Sequence, residues 1–452
     1  MENLLKLTAE RSIRYLGRLP EGRVFPSSAA IASLSNLVEP LPEAPSKDED
    51  VIQLLDDIGS PATVLTTGGR YFGFVTGGSL PASLAANWLA GAWDQNAGLQ
   101  VMSPVAAILE QVALDWLRDV LSLPPGIGAG FVSGATMANF TALAAARHAL
   151  LQKQGWDVEA KGLFGAPPVS VMVGDEVHVS VLKALGLLGF GRERVIRVPV
   201  DVQGRLCADA LSGLTDASII CIQAGNVNTG AFDPAVEICA AAQKAGAWVH
   251  VDGAFGLWAA ASPRHAHLTA GYDGADSWAT DAHKWLNVPY DSGIAFCRDP
   301  AHLSGAMSST AAYLLTSEKR EPYHYVPEMS RRARGIEIWA ALRSLGRSGL
   351  SDLIERNCRY ARRFAEGFNK AGYRVLNDVD INQVLVDFGD PETTRRVIEG
   401  VHADGTCWCG GTEWQGHTAM RISVSSWATT DADVERSLAA ILRIAQKVTG
   451  KT

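Results

Sequence analysis

Charge is scarce in this chain and carries no basic excess: Asp, Glu, Lys and Arg make up 19% of its 452 residues, and the formal net charge is −8. A nucleic-acid binder or an anionic-membrane anchor relies on clustered Lys and Arg, so neither class is expected, and any phosphate must be held by a local device. Long apolar runs are missing too. No uninterrupted stretch reaches the ~18 residues of a spanning helix, and the opening MENLLKLTAERSIRYLG is broken by charge every few residues, unlike a secretory leader. Cysteines are few: seven, an odd number scattered over the chain, which fits reduced thiols better than a disulfide framework. Internal repeats and low-complexity tracts are absent. Together these absences point to a large, soluble, cytoplasmic enzyme.

What is present has a clear order. The length allows two or three lobes, since a single core stops growing near ~250–300 residues. Residues 1–75 read as an N-terminal arm of amphipathic helices joined by the Pro-rich EPLPEAPSKDEDV, where the Ser46–Glu49 spacing predicts a capping box. Such an arm needs a larger body or a partner subunit to pack on. Residues 76–345 alternate β-branched runs with Ala/Leu-rich helical stretches; the strand candidates are GFVS, VSVMVG, RVIRVPV, SIICIQAG, AWVHVDG, DSWATD and GIAF. This alternation predicts an α/β domain, a mostly parallel sheet with helices on both faces. Ligands of such sheets sit at the carboxyl ends of the strands. Residues 346–452 open with a helical run and carry a second alternation, YRVLND, NQVLVDFG and MRISVS, before a final helix DADVERSLAAILRIAQKV. That pattern predicts a small C-terminal α+β domain.

Four features fall at predicted strand ends. GFVSGATMANFTALAAAR is a strand, a small-residue turn and a helix, whose first N–H groups and Thr136 hydroxyl make a phosphate cradle or an ordinary cap. In DEVHVSVLKALGLLG, His178 follows a strand, as a site residue or as a satisfied surface histidine. In AWVHVDGAFG, Asp252 ends an apolar strand, where a carboxylate needs a partner because burying it alone is costly. The fourth is Lys284 in WATDAHKWLNVPYDSG. Near sheet ends and beside aromatics, a partly desolvated lysine becomes a nucleophilic amine suited to Schiff-base chemistry. The alternative is a lysine whose head snorkels to solvent.

Taken together, an anion cradle, a face-stacking group, an anionic partner for a ring nitrogen and an imine-forming lysine are the set that pyridoxal phosphate requires. The motifs SGATMAN, HVSVLKA, HVDGAFG and DSWATDAHKWLNVPYDSG, in this order, resemble the group II pyridoxal-phosphate-dependent amino acid decarboxylases, over roughly residues 55 to 445. The resemblance implies a fold-type-I transferase fold and a homodimer with cofactor sites at the subunit interface. It implies that Lys284 carries the internal aldimine, with His283 near the phosphate and Ala135 and Thr136 on phosphate oxygens. Asp252 would keep the ring nitrogen protonated, Ala254 would pack on one ring face and His178 on the other. Asn226 and Asn228 stand in the loop where family members carry threonines beside the cofactor, a departure that leaves their roles open. The implied reaction is decarboxylation of an L-amino acid to the amine and carbon dioxide through a quinonoid intermediate. The proton donor in the family resembles a mobile-loop tyrosine; here PYHYVPEM offers Tyr323 and Tyr325, with His178 as the alternative donor.

The segment GGRYFGFVTGGSLPASLAANWLAGAWDQNAGLQVMSP resembles the part of the family that forms the substrate wall. Trp93, Gln95, Asn96 and Gln100 make it polar and favour a small polar or acidic amino acid, whereas Tyr71, Phe72 and Phe74 would build an aromatic slot. Asn96 and Gly98 stand where aromatic decarboxylases put apolar side chains. Cys407, Cys409, His402 and His417 share one stretch, but the C-x-C spacing matches no usual zinc pattern, and a strand and turn with buried thiols is expected instead of a metal site. Arg421 is expected in a structural ion pair. Carbon–carbon lyase chemistry, oxidative deamination to an aldehyde and a catalytically silent dimeric scaffold are the competing readings.

Overall fold

The computed structural model describes residues 1–309 and 320–450. Seven strands form the large sheet: β1 (Gly128–Val132), β2 (Ser170–Gly174), β3 (Ile196–Val198), β4 (Ser218–Gln223), β5 (Trp248–Asp252), β6 (Ser277–Asp281) and β7 (Gly293–Cys297). Their order is β1-β7-β6-β5-β4-β2-β3. The β2–β3, β2–β4, β4–β5 and β5–β6 pairs are parallel, and only β7 runs against its neighbours. This is the α/β fold of a type-I transferase, and each predicted strand is present. The reason is visible in the burial: β1, β4, β5, β6 and β7 are buried at every position, as continuous β-branched runs covered on both faces must be.

The helix Ala135–Lys153 follows β1 and buries Ala138, Ala142, Ala144, Ala145 and Ala146. Alanines on several of its sides let it sit close to β6 and β7. The chain's second sheet is antiparallel, in the order β10-β11-β9-β8, built from β8 (Arg374–Val375), β9 (Gln383–Asp387), β10 (Gly410–Trp414) and β11 (His417–Ser423). Gln415 and Gly416, both at positive φ, close the β10–β11 hairpin, the two-residue turn that suits strand twist. A core of its own lies beneath this sheet, including Phe364, Phe368, Val384, Val386, Ile422 and Ile441. The helix Gly335–Lys370 departs from helical geometry at Gly346 and contributes side chains to both cores.

At the N-terminus the helix Glu2–Gly17 has no buried residue. The expected capping box at Ser46 is not formed: the helix starts at Asp48, and its cap position is Lys47 with no side-chain bond. Three acidic residues in its first turn, Asp48, Glu49 and Asp50, offset the helix dipole instead. A capping box does occur at Thr430 and Asp433, opening the last helix. Among the described residues no helix is long and apolar enough to cross a membrane.

Candidate active site

The carboxyl ends of β1, β2, β4, β5 and β6 deliver the residues singled out by the sequence. Asp252 is the last residue of β5, and its parallel neighbour β6 ends at Asp281, three residues before Lys284. Lys284 is fixed from both sides. Trp285 is fully buried with its indole N–H on Asn357 Oδ1 at 2.9 Å, and burying an indole contributes about 4–6 kcal/mol of transfer free energy. Gly77 packs so tightly beneath that a Cβ there would meet the Lys284 carbonyl oxygen. The side chain of Lys284 is 18% exposed and its Nζ lies 3.1 Å from Asp281 Oδ2. It is held in the cleft by a carboxylate rather than released to solvent.

Asp252 is buried, and three donors converge on it: Asn139 Nδ2 at 3.3 Å, Ser180 Oγ at 3.5 Å and the Ala254 N–H at 3.2 Å. Behind Asn139 the bonds run in one direction. The Trp248 indole N–H donates to Ser277 Oγ at 2.9 Å, Ser277 Oγ lies 2.9 Å from His250 Nδ1, and His250 Nε2 lies 2.9 Å from Asn139 Oδ1. An amide oxygen only accepts, so His250 is protonated at Nε2 and takes the Ser277 hydroxyl at Nδ1. Complete burial pushes His250 down to about 4, which keeps it neutral and the chain polarised toward Asp252. Asn139, Ser180 and His250 had no sequence signal as site residues, apart from His250 sharing a strand face with Asp252 two positions on.

His178 caps the helix Val179–Leu187, its Nδ1 accepting the Ser180 N–H at 3.2 Å and lying 2.7 Å from Ser180 Oγ. Burial lowers its pKa, against the pull of Asp252 and together with the charges of Lys284 and Arg421. The imidazole is therefore neutral with its proton on Nε2.

The start of the Ala135 helix is a cradle. Gly293 presses on Gly134: a Cβ on Gly293 would meet the Gly134 Cα at 2.5 Å, and one on Gly134 would meet the His283 ring at 3.0 Å. The first-turn N–H groups of this helix have no intrahelical acceptor; that of Ala135 donates to Asp281 Oδ1 at 2.5 Å. His283 borders the cradle: its Nε2 is 3.4 Å from Asp281 Oδ1, and its Nδ1 accepts the Ser292 N–H at 3.1 Å. The Ser292 hydroxyl, also buried, has no hydrogen-bond partner among the described residues.

Residues 35–388 match the pyridoxal-dependent decarboxylase conserved domain. The chain belongs to the pyridoxal-dependent decarboxylase family. It is 30% identical over 394 residues to aromatic-L-amino-acid decarboxylase of Drosophila lebanonensis, covering 80% of this chain and 95% of that protein. To tryptophan decarboxylase 1 of Oryza sativa subsp. japonica it is 27% identical over 398 residues, covering 79% and 76%. The crystal structure of Oryza sativa TDC with PLP and tryptamine has the same fold, with a TM-score of 0.91 at 22% identity over 99% of this chain and 97% of that one. The protein is thus a lyase of the decarboxylase family that uses pyridoxal 5′-phosphate. Its residues fit that group: a cradle at a helix start beside Gly134 and Gly293, an amine held in the cleft and a carboxylate on a directed hydrogen-bond chain.

The remaining predicted residues divide. Tyr71 is buried, stacks on Trp408 at 5.1 Å and has its phenol pushed up to about 12 by burial and by nearby Tyr290, with Arg421 opposing. Phe74, exposed, stacks on the other part of the same indole at 5.3 Å. Tyr290, which the sequence reading passed over, lies 4.3 Å from the His283 ring. Asn228 Oδ1 accepts from Thr412 Oγ1 at 3.0 Å and from Arg421 Nη1 at 3.3 Å, while Asn226 Oδ1 takes the Asn228 and Thr229 N–H groups. Asn96 spends its side-chain oxygen on the N–H groups of Gly98 and Arg331, and Trp93 is exposed at a helix end. Tyr323 is buried with its N–H on the Gly98 carbonyl. Tyr325 lies under Arg320 and lines a cleft with Ile127, Gly128 and Ala129, at the opposite end of β1 from Gly134.

One expectation changes. Arg421 forms no ion pair among the described residues; its partners are Asn228 Oδ1 and the Val227 carbonyl at 3.4 Å, and burial lowers its pKa. The register explains this: β11 sets Arg421 opposite Gly410 and Leu385, neither of them acidic. The residues of the Cys/His stretch have the following places. Cys407 and Cys409 are buried, His402 stacks on Trp408 and bonds the Cys409 carbonyl, and His417 is exposed beside Arg374.

Proposed function

We propose that this enzyme decarboxylates an aromatic L-amino acid, releasing carbon dioxide and the corresponding amine. The observation that carries the reading is the aromatic cluster of Tyr71, Phe74 and Trp408, with Tyr290 and Arg421 close to Tyr71. Asn96, one of the polar residues behind the expected small polar or acidic substrate, gives that alternative less support, because its amide oxygen accepts backbone N–H groups.

In this reading the cofactor, when bound, supplies an electron sink for the bond to the departing carboxylate. Lys284 would supply the amine that holds the cofactor's aldehyde. Asp252, positioned by Asn139, Ser180 and the Ala254 N–H, would face the ring nitrogen and hold a proton on it. The Ala135 helix start, with Thr136 and His283, would hold the phosphate, and Ala254 and His178 would bracket the ring. After carbon dioxide leaves, His178 would give a proton to the substrate carbon from the imidazolium it forms on taking a second proton, so that the neutral ring is left behind. Arg421, oriented by Asn228, draws in the substrate carboxylate.

We further infer a homodimer in a reducing, cytoplasmic setting. Trp88, Leu89, Trp93, Val101, Met102 and Ile108 are exposed apolar residues on adjoining segments, the kind of patch that marks an interface. The N-terminal arm and Trp93 would then complete the partner's site.

The test is a panel of aromatic, acidic and small polar amino acids given to purified, cofactor-loaded protein, with carbon dioxide, amine, aldehyde and peroxide all measured. Carbon dioxide and amine from aromatic substrates support the proposal. Preference for an acidic substrate overturns the substrate assignment, and aldehyde with peroxide overturns the proton-transfer assignment.

A further inference from the structure

A negative charge stands where the phosphate would be held. The Asp281 carboxylate is 2.5 Å from the Ala135 N–H, 3.1 Å from Lys284 Nζ and 3.4 Å from His283 Nε2, and its side chain is 3% exposed. Its backbone is locked as well: its N–H donates to the Ala254 carbonyl at 2.9 Å, and its carbonyl accepts the fully buried Trp258 indole at 3.0 Å. Asp281 is therefore a fixed part of the cradle, not a loop residue free to swing away.

Two consequences follow from charge alone. The N–H group that Asp281 takes is one a phosphate oxygen at this helix start would use, so carboxylate and phosphate compete for a shared donor. Like charges at such separations repel strongly where water is excluded. Lys284 is the full positive charge that balances Asp281, and Lys284 cannot serve both Asp281 and the cofactor's aldehyde. Asp252 and His178, the other titratable groups of the cleft, do not bond to Asp281.

We propose that Asp281 limits the enzyme's hold on its cofactor. The carboxylate weakens phosphate binding at the Ala135 helix and keeps the cofactor exchangeable, so that the loaded fraction follows cofactor supply. This rests on the assignment of the phosphate to that helix start, and the experiment separates the two.

The probe is 4′-deoxypyridoxine 5′-phosphate, which has the ring and phosphate but no aldehyde for Lys284, compared with 4′-deoxypyridoxine, which has no phosphate. Dissociation constants are measured for the full-length wild type, Asp281→Asn and Asp281→Ser, with circular dichroism as the check on folding; either folded variant decides. The expected result is that the wild type prefers the phosphorylated compound and that the variants bind it roughly tenfold tighter or more, with little change for the unphosphorylated one. Equal or weaker binding of the phosphorylated compound by the variants overturns the role of Asp281. No preference for the phosphorylated compound in any of the proteins overturns the phosphate assignment itself, and this inference with it.

Discussion

Replacing Asp252 with asparagine removes one charge and almost no volume. The wild-type carboxylate is 5% exposed and receives donors from Asn139, Ser180 and Ala254, so its charge is poorly screened by water. At a separation of about 4 Å and an effective dielectric of about 20, a carboxylate stabilises a facing cation by about 4 kcal/mol. If that stabilisation is realised as the ring nitrogen holds its proton while charge develops on the ring, its loss lowers kcat by about a thousandfold. Cofactor should stay bound, more weakly, because Lys284 and the Ala135 helix are untouched. Asp252→Ala should lose at least as much, as it also leaves the Asn139 and Ser180 donors without their acceptor. The assay is carbon dioxide release at saturating cofactor, with the bound cofactor followed by its absorbance. An Asn variant that keeps its cofactor and turns over within about tenfold of wild type would refute the electronic role of Asp252.

Two other expectations follow from the same site. His250 has its folded-state pKa depressed from 6.5 to about 4, so below pH 6.5 the unfolded chain binds a proton that the folded one does not; stability is lost as the pH is lowered through that window, by up to about 3 kcal/mol at its foot. His250→Asn should flatten the urea-midpoint profile between those two pH values relative to wild type, and an unchanged slope would sink the assignment of a neutral, buried imidazole. Arg421→Gln removes the cation beside Tyr71 while sparing Lys284 and Asp252; KM should rise roughly tenfold or more with a smaller change in kcat, the pattern of lost uniform binding. A fall in kcat at constant KM would instead place Arg421 in the chemical step.

The large sheet was legible because its strands are short, largely apolar runs, rich in β-branched residues in β2, β3, β4 and β5, and the chemistry was legible because such folds put it at strand ends. His178, Asp252 and Lys284 stand there. Asn139, Ser180 and His250 were not legible, since a polar residue inside an apolar helix or strand shows its partner only once the strands are in register. Asp281 was hidden in a different way: in the sequence it is the acid at the end of β6, and only the β1 turn brings a helix start onto it. The ion pair expected of Arg421 failed because pairing register, which sets Gly410 and Leu385 beside it, cannot be read from its own strand. The substrate wall was less legible because a side-chain amide such as that of Asn96 looks the same in sequence whether it faces a ligand or accepts backbone N–H groups.

The claim on which the rest depends is that the amine of Lys284 binds pyridoxal 5′-phosphate covalently. Reduction of the loaded protein with borohydride, followed by peptide mass mapping, tests it directly. The account predicts a phosphopyridoxyl adduct on Lys284, and no visible absorbance band or adduct in Lys284→Ala. An adduct on another lysine, or an unaltered band in the Ala protein, would contradict it.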